Sequence, residues 1–246
     1  MWLLIFRRHL LRIARRDIAY FVLMGGILAA VHFTYLYTIS LIPVAAAILI
    51  QYQSPVLIAL HARIFRKKKL SSFVVIAIIG AVAGCSLMVG AYDLELFRLN
   101  RTGILAGLVS AVVFAWYAIK SEDGMRTYPA WTILTYALLI AAIFWNVVQP
   151  PFGAFRESHD VLSWGYILYI ALFGTALSFG LYNLGIGSVK ATHASITATL
   201  EPVFAGIIAY ALLGEVLEPM QIAGAVLVIG SIILLQGQRS RQGDAR

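Results

Sequence analysis

Glu201 is the side chain with the clearest capacity for chemistry, because it is the only carboxylate well inside a long apolar stretch of the sequence. Holding a charge at the centre of a membrane-spanning helix costs at least ~2.5 kcal/mol, so this group should face the interior of a helix bundle or be protonated. Two interpretations stay open. Glu201 binds a coupling proton or the ammonium group of a substrate, or it bonds to backbone groups that the adjacent Pro202 leaves without helical partners.

Other polar and aromatic side chains lie near Glu201, near a second proline within an apolar helix, or on neighbouring apolar stretches. An aromatic cavity with few polar groups suits amphipathic metabolites or cationic drugs. The candidate substrate-binding residues are therefore His32, Tyr35, Gln51, Gln53, Pro55, Trp116, Tyr117, Tyr182, Asn183, Thr197, Glu201 and Pro202.

Alternatives remain for three of these residues. His32 either lines the cavity or is a neutral imidazole bonded to a neighbouring helix, since histidine titrates near neutral pH. Trp116 and Tyr117 either line the cavity or belong to the aromatic belt at the membrane surface, because Lys120 follows one turn later.

The same residues do not form an enzyme site. The sequence contains no Ser/His/Asp, HExxH or paired-aspartate arrangement. No two histidines or acids have metal-ligand spacing on one helix, so we expect no metal site and no cofactor. The single cysteine, Cys85, lies in an apolar run, where it is interpreted as a small packing residue.

Composition shows which kind of element must position these side chains. Hydrophobic residues make up 61% of the chain and charged residues 12%, and the mean hydropathy is +0.87. Average globular chains are about half apolar and about a quarter charged, so this sequence belongs with membrane proteins. The net charge of +8 does not indicate a nucleic-acid partner, because the cations lie between apolar segments. The partner that they indicate is the lipid bilayer.

The apolar segments predict an all-α integral membrane protein. A hydrocarbon core of ~30 Å requires about 20 apolar residues as helix. Pro43, Pro129 and Pro219 mark helix starts, where a missing N–H costs nothing. The eight predicted spans are approximately residues 18–41, 43–62, 71–91, 103–120, 129–149, 162–186, 191–213 and 219–237.

Small residues recur at four-residue spacing in several of these spans. Such spacing lets helices approach closely within a membrane, where no hydrophobic effect drives them together. We therefore expect internal helix packing at three pairs: Gly80 with Gly84, Gly103 with Gly107, and Ala205 with Ala209.

The distribution of charge predicts the orientation. If the spans alternate from a cytoplasmic N-terminus, 16 of the 19 Lys and Arg residues lie on the cytoplasmic side, including the cluster in "RIFRKKKL", residues 63–70. Positive residues favour cytoplasmic loops. We therefore expect a multi-pass protein of the inner (cytoplasmic) membrane with both termini in the cytoplasm.

The two prolines within helices indicate an internal repeat. Aligning Pro55 with Pro202 also pairs Tyr35 with Tyr182 at the same offset of twenty residues. The copies differ most where "RKKK" faces "LGEV". An inverted-topology repeat predicts that difference, since the same corner is cytoplasmic in one copy and external in the other. Such repeats are typical of secondary transporters, with the site near the membrane midplane.

These residues resemble a known family. "ATLEPVFAGIIAYALLGEVLEPMQIAGAVLVIGSIILL", residues 198–235, resembles the end of the second repeat in EamA-type members of the drug/metabolite transporter superfamily. "GILAGLVSAVVFAWYAIKSE" resembles the opening helix of that repeat. The resemblance covers the chain from about residue 7 onward.

The resemblance implies a carrier of ten helices in two inverted five-helix repeats. Residues 1–95 correspond to a first repeat that lacks one helix and most of a second, with residues 2–16 as the remainder of that second helix. Residues 96–246 correspond to a complete second repeat. The expected function is a secondary transporter, an exporter of small metabolites or amphipathic compounds, with protons as the coupling ion. The alternative is a truncated remnant that does not transport.

Overall fold

The computed structural model describes residues 12–67, 69–90, 100–148, 160–214 and 216–243 of the chain. Every regular element within these ranges is helical. The helices are α1 (Ile18–Leu41), α2 (Val44–Gln51), α3 (Ser54–Ile64), α4 (Ser72–Met88), α5 (Arg101–Gly124), α6 (Ala130–Val148), α7 (Val161–Tyr169), α8 (Ser178–Val189), α9 (Ala191–Ala198), α10 (Glu201–Leu213) and α11 (Pro219–Gly243). A 3₁₀ turn (Arg15–Asp17) precedes α1, and a π-helical segment (Ile170–Leu177) joins α7 to α8.

These helices confirm an all-α integral membrane protein. Seven helical stretches in the described ranges are long and apolar enough to cross a membrane. They are Arg15–Leu41, Val44–Ile64, Arg101–Gly124, Ala130–Val148, Val161–Val189, Ala191–Leu212 and Pro219–Gln236. The third predicted span is the shorter helix α4, which has 17 residues. The predicted ends of two spans, at 91 and 149, and most of residues 2–16 lie outside the described residues.

Two of the spans are broken in the middle, each just before the predicted proline. The first span is α2 followed by α3, with Pro55 as the second residue of α3. The second span is α9 followed by α10, with Pro202 in the equivalent position. The counterparts begin and end at one constant spacing of 147 residues (191 − 44, 198 − 51 and 201 − 54). Helix α11 also begins 147 residues after α4 (219 − 72).

The helix ends follow local sequence. Pro43 caps α2, Pro129 immediately precedes α6, and Pro219 is the first residue of α11. Helix α10 ends at Gly214, which has a left-handed backbone (φ 70°) that glycine adopts at low cost. The predicted starts at these three prolines are therefore confirmed.

The chain forms two compact units. The first comprises Met1–His32 and Trp116–Ala191, and the second comprises Phe33–Ala115 and Thr192–Arg246. Within the first unit, α8 packs against α6. A Cβ built on Gly180 of α8 would lie only 2.6 Å from the Trp131 ring of α6, so glycine is required for this close approach.

The core of the second unit lies where α4 packs against α11. A Cβ on Gly84 would lie 2.7 Å from the Gly224 carbonyl, and one on Gly224 would lie 2.6 Å from the Gly84 carbonyl. The two backbones are therefore in direct contact, and we call this contact the α4–α11 seam. Gly103 and Gly107 similarly face Ile42 and Ile50. These glycine pairs pack inside the protein, as their spacing predicts.

Candidate functional site

A hydrogen bond connects the two helix breaks of the second unit. Tyr52 lies between α2 and α3 and is 9% exposed, and its hydroxyl donates to Glu201 Oε2 at 3.1 Å. Glu201 is the first residue of α10. Each of the two residues therefore lies at a break in its own span, and their side chains meet.

The two breaks have the same local cause. Proline has no N–H, so the carbonyls of Gln51 and Ala198 lose the partner that a continuous helix gives them. The backbone tightens at each break into a turn that bonds to the third residue back. The N–H of Gln53 donates to the Ile50 carbonyl, and that of Leu200 donates to the Thr197 carbonyl, both at 3.1 Å.

A third helix contacts the second break. Cys85 of α4 is fully buried, as expected for a packing residue, and its thiol lies 3.6 Å from the Thr199 carbonyl as a weak donor. The Thr199 hydroxyl is buried too and donates to the Ile196 carbonyl at 2.6 Å. These contacts satisfy backbone oxygens that would otherwise face an apolar interior.

A cavity of about 680 Å³ lies beside the Tyr52–Glu201 pair. One wall is the first part of α10, and the loop before α11 and the end of α4 complete it. Its lining residues are Ala45, Ile48, Tyr52, Met88, Val89, Glu201, Pro202, Ala205, Gly206, Ala209, Val216, Leu217, Glu218 and Gln221. The pair Ala205 and Ala209 thus faces this cavity rather than a helix, so the packing expected from their spacing is absent there.

Seven of the sequence-predicted site residues belong to the second unit, but only Glu201 and Pro202 line the cavity. Tyr35 is half-buried and interacts electrostatically with Glu201. Pro55 is buried. The remaining three residues, of which Thr197 is exposed and the others half-buried, are Gln51, Gln53 and Thr197.

The other five candidates belong to the first unit, and three of them form a packed aromatic cluster with Phe179. The His32 ring stacks on Phe179 at 5.4 Å, and Phe179 meets Tyr117 edge-on at 5.5 Å. The Asn183 amide donates to the Tyr117 hydroxyl at 2.8 Å, and both side chains are fully buried. This geometry fits a core polar pair better than a ligand-lining surface for these two residues.

The remaining members of the first unit are less tightly placed. His32 Nδ1 lies 2.8 Å from the Leu28 carbonyl of its own helix, which fixes the ring. Trp116 is 45% exposed, on the outer face of α5. Tyr182 is half-buried on α8.

Sequence analysis missed Tyr52, Glu218 and Gln221. Tyr52 lies between the two predicted glutamines and directly at the break, so its distance from Pro55 was the available signal. Glu218 and Gln221 are close to Glu201 only because α10 and the following loop fold along the cavity. Within the described ranges, no three His, Cys, Asp or Glu side chains come together in a way that could hold a metal ion.

Comparison with known proteins gives matches along almost the whole chain. The model of the EamA-like transporter family matches residues 1–90 and 101–236. The uncharacterized inner membrane transporter YicL of Salmonella typhimurium is 26% identical over 218 residues, covering 87% of this chain and 71% of the relative. The pseudopaline exporter CntI of Pseudomonas aeruginosa is 24% identical over 227 residues, covering 90% of this chain and 75% of the relative.

One solved crystal structure of a protein superposes with a TM-score of 0.76 at 19% identity. The superposition covers 95% of this chain and 80% of the solved chain. The likeness is one of fold.

Proposed function

Because this chain belongs to the EamA-like transporter family, we propose that it is a secondary transporter that exports small metabolites or amphipathic compounds across the cytoplasmic membrane. The family confirms the resemblance noted in the sequence. The protein is a multi-pass membrane transporter. The substrate class, the direction and the coupling are the proposal.

The observation that carries the proposal is the meeting of two broken helices at a cavity. Tyr52 and Glu201, each at a break, share a hydrogen bond at the wall of a space of about 680 Å³. Irregular backbone within a membrane persists where it lines a cavity or is buried in protein. Secondary transporters place their substrate and ion sites at such discontinuous helices.

The constant spacing of 147 residues (191 − 44 and 201 − 54) between the broken spans supports two repeats, residues 1–95 and 96–246. The two stretches matched by the family model, 1–90 and 101–236, divide at nearly the same place. We propose that the repeats have inverted topology.

The proposed direction and orientation have separate support. CntI is named an exporter. The excess of cations on one set of loops supports cytoplasmic termini. In that orientation, the C-terminal end of α4 and the start of α11 are external, and the cavity occupies the outer half of the second unit.

We propose the proton as coupling ion, because Glu201 is a titratable group at the cavity wall and at a helix break. A carboxylate that alternately binds a proton and releases it to the other side can connect a proton gradient to export. The Glu201→Gln variant tests this role. Loss of uphill export with retained downhill exchange supports coupling, and normal uphill export contradicts it.

Filling the cavity tests whether it is the transport route. Ala205→Trp places an indole in the cavity, and Val226→Trp places one on the exposed face of α11, outside the cavity lining. In proteoliposomes loaded with an amphipathic metabolite mixture, we expect Ala205→Trp to abolish export and Val226→Trp to retain it. Equal export by the two variants, at equal folded yield, would contradict the proposed route.

A further inference from the structure

We propose that the cavity beside Glu201 binds organic cations, and that Glu201 contacts the cationic group while the apolar wall holds the rest of the molecule. This inference rests on the proposed function, and it narrows the substrate to amphipathic compounds with a positive charge. Its support is the chemistry of the cavity wall in the second unit.

Charge is the first support. The cavity wall carries two carboxylates, Glu201 and Glu218, and its lining contains no Lys, Arg or His. A cleft with one sign of charge and low-dielectric walls raises the local concentration of the opposite charge. Anionic substrates would meet repulsion without a cation to offset it.

The geometry of Glu201 is the second support. Its Oε2 accepts the hydrogen bond of Tyr52, and among the described residues no donor reaches its other oxygen. Glu201 is the first residue of the 13-residue helix α10, where the positive end of the helix dipole favours the ionised carboxylate. One oxygen is therefore held by the protein while the other remains available to a ligand.

The rest of the wall suits an apolar body. Eleven of the fourteen lining residues are neither charged nor amide-bearing, among them Ile48, Met88 and Leu217. The Tyr52 ring adds an aromatic surface, which attracts cations through its electron-rich face. The volume of about 680 Å³ is within the range of about 300–1,000 Å³ found for sites of drug-sized ligands.

The outer end of the cavity is fixed by Gln221. Its Oε1 accepts from the Glu218 N–H at 2.9 Å, and its Nε2 lies 3.4 Å from the Met88 carbonyl as donor. Gln221 thus ties the start of α11 to the end of α4. This contact holds Glu218 at the rim, where its charge attracts a cation before the cation reaches Glu201.

The test uses two probes of the same shape and opposite charge. Tetraphenylphosphonium and tetraphenylborate both carry four phenyl rings around one central atom. Binding of each is measured by equilibrium dialysis on the purified full chain in neutral detergent, with empty micelles subtracted. The variants are Glu201→Gln, Glu218→Gln and Asp123→Asn, of which Asp123 lies outside the cavity and provides the charge-matched control.

We expect the wild type to bind the phosphonium and not the borate, and Glu201→Gln to weaken phosphonium binding at least about tenfold, or about 1.4 kcal/mol. Glu218→Gln should weaken it less, and Asp123→Asn should leave it unchanged. Two results would overturn the inference: equal affinity for the borate, or phosphonium affinity in Glu201→Gln within about twofold of the wild type. Circular dichroism of each variant checks that the helices are intact.

The outcomes separate this inference from the proposed function. If Ala205→Trp blocks export of a neutral or anionic compound while no cation binds, the transporter proposal stands and the substrate class is wrong. If the phosphonium binds at Glu201 but no compound crosses the membrane, the substrate class stands and the transport proposal is wrong.

Discussion

The Tyr52 hydroxyl holds the Glu201 carboxylate in place at the residue scale, so its removal should affect substrate binding more than folding. Tyr52→Phe keeps the ring and removes one hydrogen bond, which is worth about 1.5–3 kcal/mol at most when the acceptor is charged. We expect KM for a cationic substrate to rise several-fold while the turnover rate per folded molecule changes little. Transport kinetics in proteoliposomes measure both quantities.

Tyr210→Phe is the matched control, because Tyr210 is 61% exposed on α10 and does not line the cavity. It should leave KM unchanged. A Tyr52→Phe protein with unchanged KM but reduced folded yield would assign the hydrogen bond to stability alone.

Tyr128 has an electrostatic role at one end of the first unit. Its hydroxyl donates to Asp17, and this hydrogen bond raises the pKa of Tyr128 above its ordinary value of about 10. The folded state thus favours the neutral phenol. The stabilising contact is fully present below about pH 10 and is lost as the pH rises through the raised pKa.

Tyr128→Phe should therefore melt below the wild type at neutral pH, and the difference should disappear as the pH rises above about 10. Thermal midpoints of both proteins at a series of pH values measure this. Other tyrosines titrate equally in both proteins and cancel. A difference that persists unchanged at strongly alkaline pH would contradict the role given to this hydroxyl.

The broken spans provide the test at the scale of elements. Pro202→Ala restores an N–H that can bond to the Ala198 carbonyl, and it favours one continuous helix from α9 through α10. Transport should fall more than folded yield, since the break places Glu201 and Tyr52. Pro55→Ala should act in the same way and more mildly. Loss of yield equal to loss of transport would show that the prolines serve folding only.

The α4–α11 seam makes a second prediction for elements. A methyl group on Gly84 would overlap the Gly224 carbonyl and Val228, so Gly84→Ala should cost about 1–3 kcal/mol in the free energy of unfolding. Gly26→Ala is the control, because nothing lies within 4 Å of its Cβ position on α1. It should be neutral or stabilise the protein by up to about 1 kcal/mol. Unfolding in mixed detergent compares the two, and equal stability would argue against direct backbone contact at the seam.

Sequence periodicity predicted the elements better than the site. The apolar runs and the prolines give the spans and both breaks, because length and a missing N–H are local properties of the chain. The pairing of Tyr52 with Glu201 joins residues far apart in sequence, so it depends on how α2, α3 and α10 pack. Ala205 and Ala209 show the same limit. Their spacing is that of a packing face, but only the fold decides whether a helix or a cavity lies opposite.

Orientation is the prediction that concerns the whole molecule. On a Cys85→Ser background, cysteines replacing Lys67 and Arg241 should be protected from a membrane-impermeant reagent in intact cells, and one replacing Glu157 should react. Serine keeps a donor near the Thr199 carbonyl, so the background should fold. Rapid labelling at Lys67 would reverse the proposed orientation.

The α4–α11 seam also bears on how the molecule responds to cooling. Hydrophobic stabilisation weakens as temperature falls, because its origin is the ordering of water. A glycine contact between two helices in lipid gains instead from dispersion between close atoms, which does not depend on water. Gly84 and Gly224 therefore give the second unit a junction whose strength is retained in the cold, when the lipid around it stiffens.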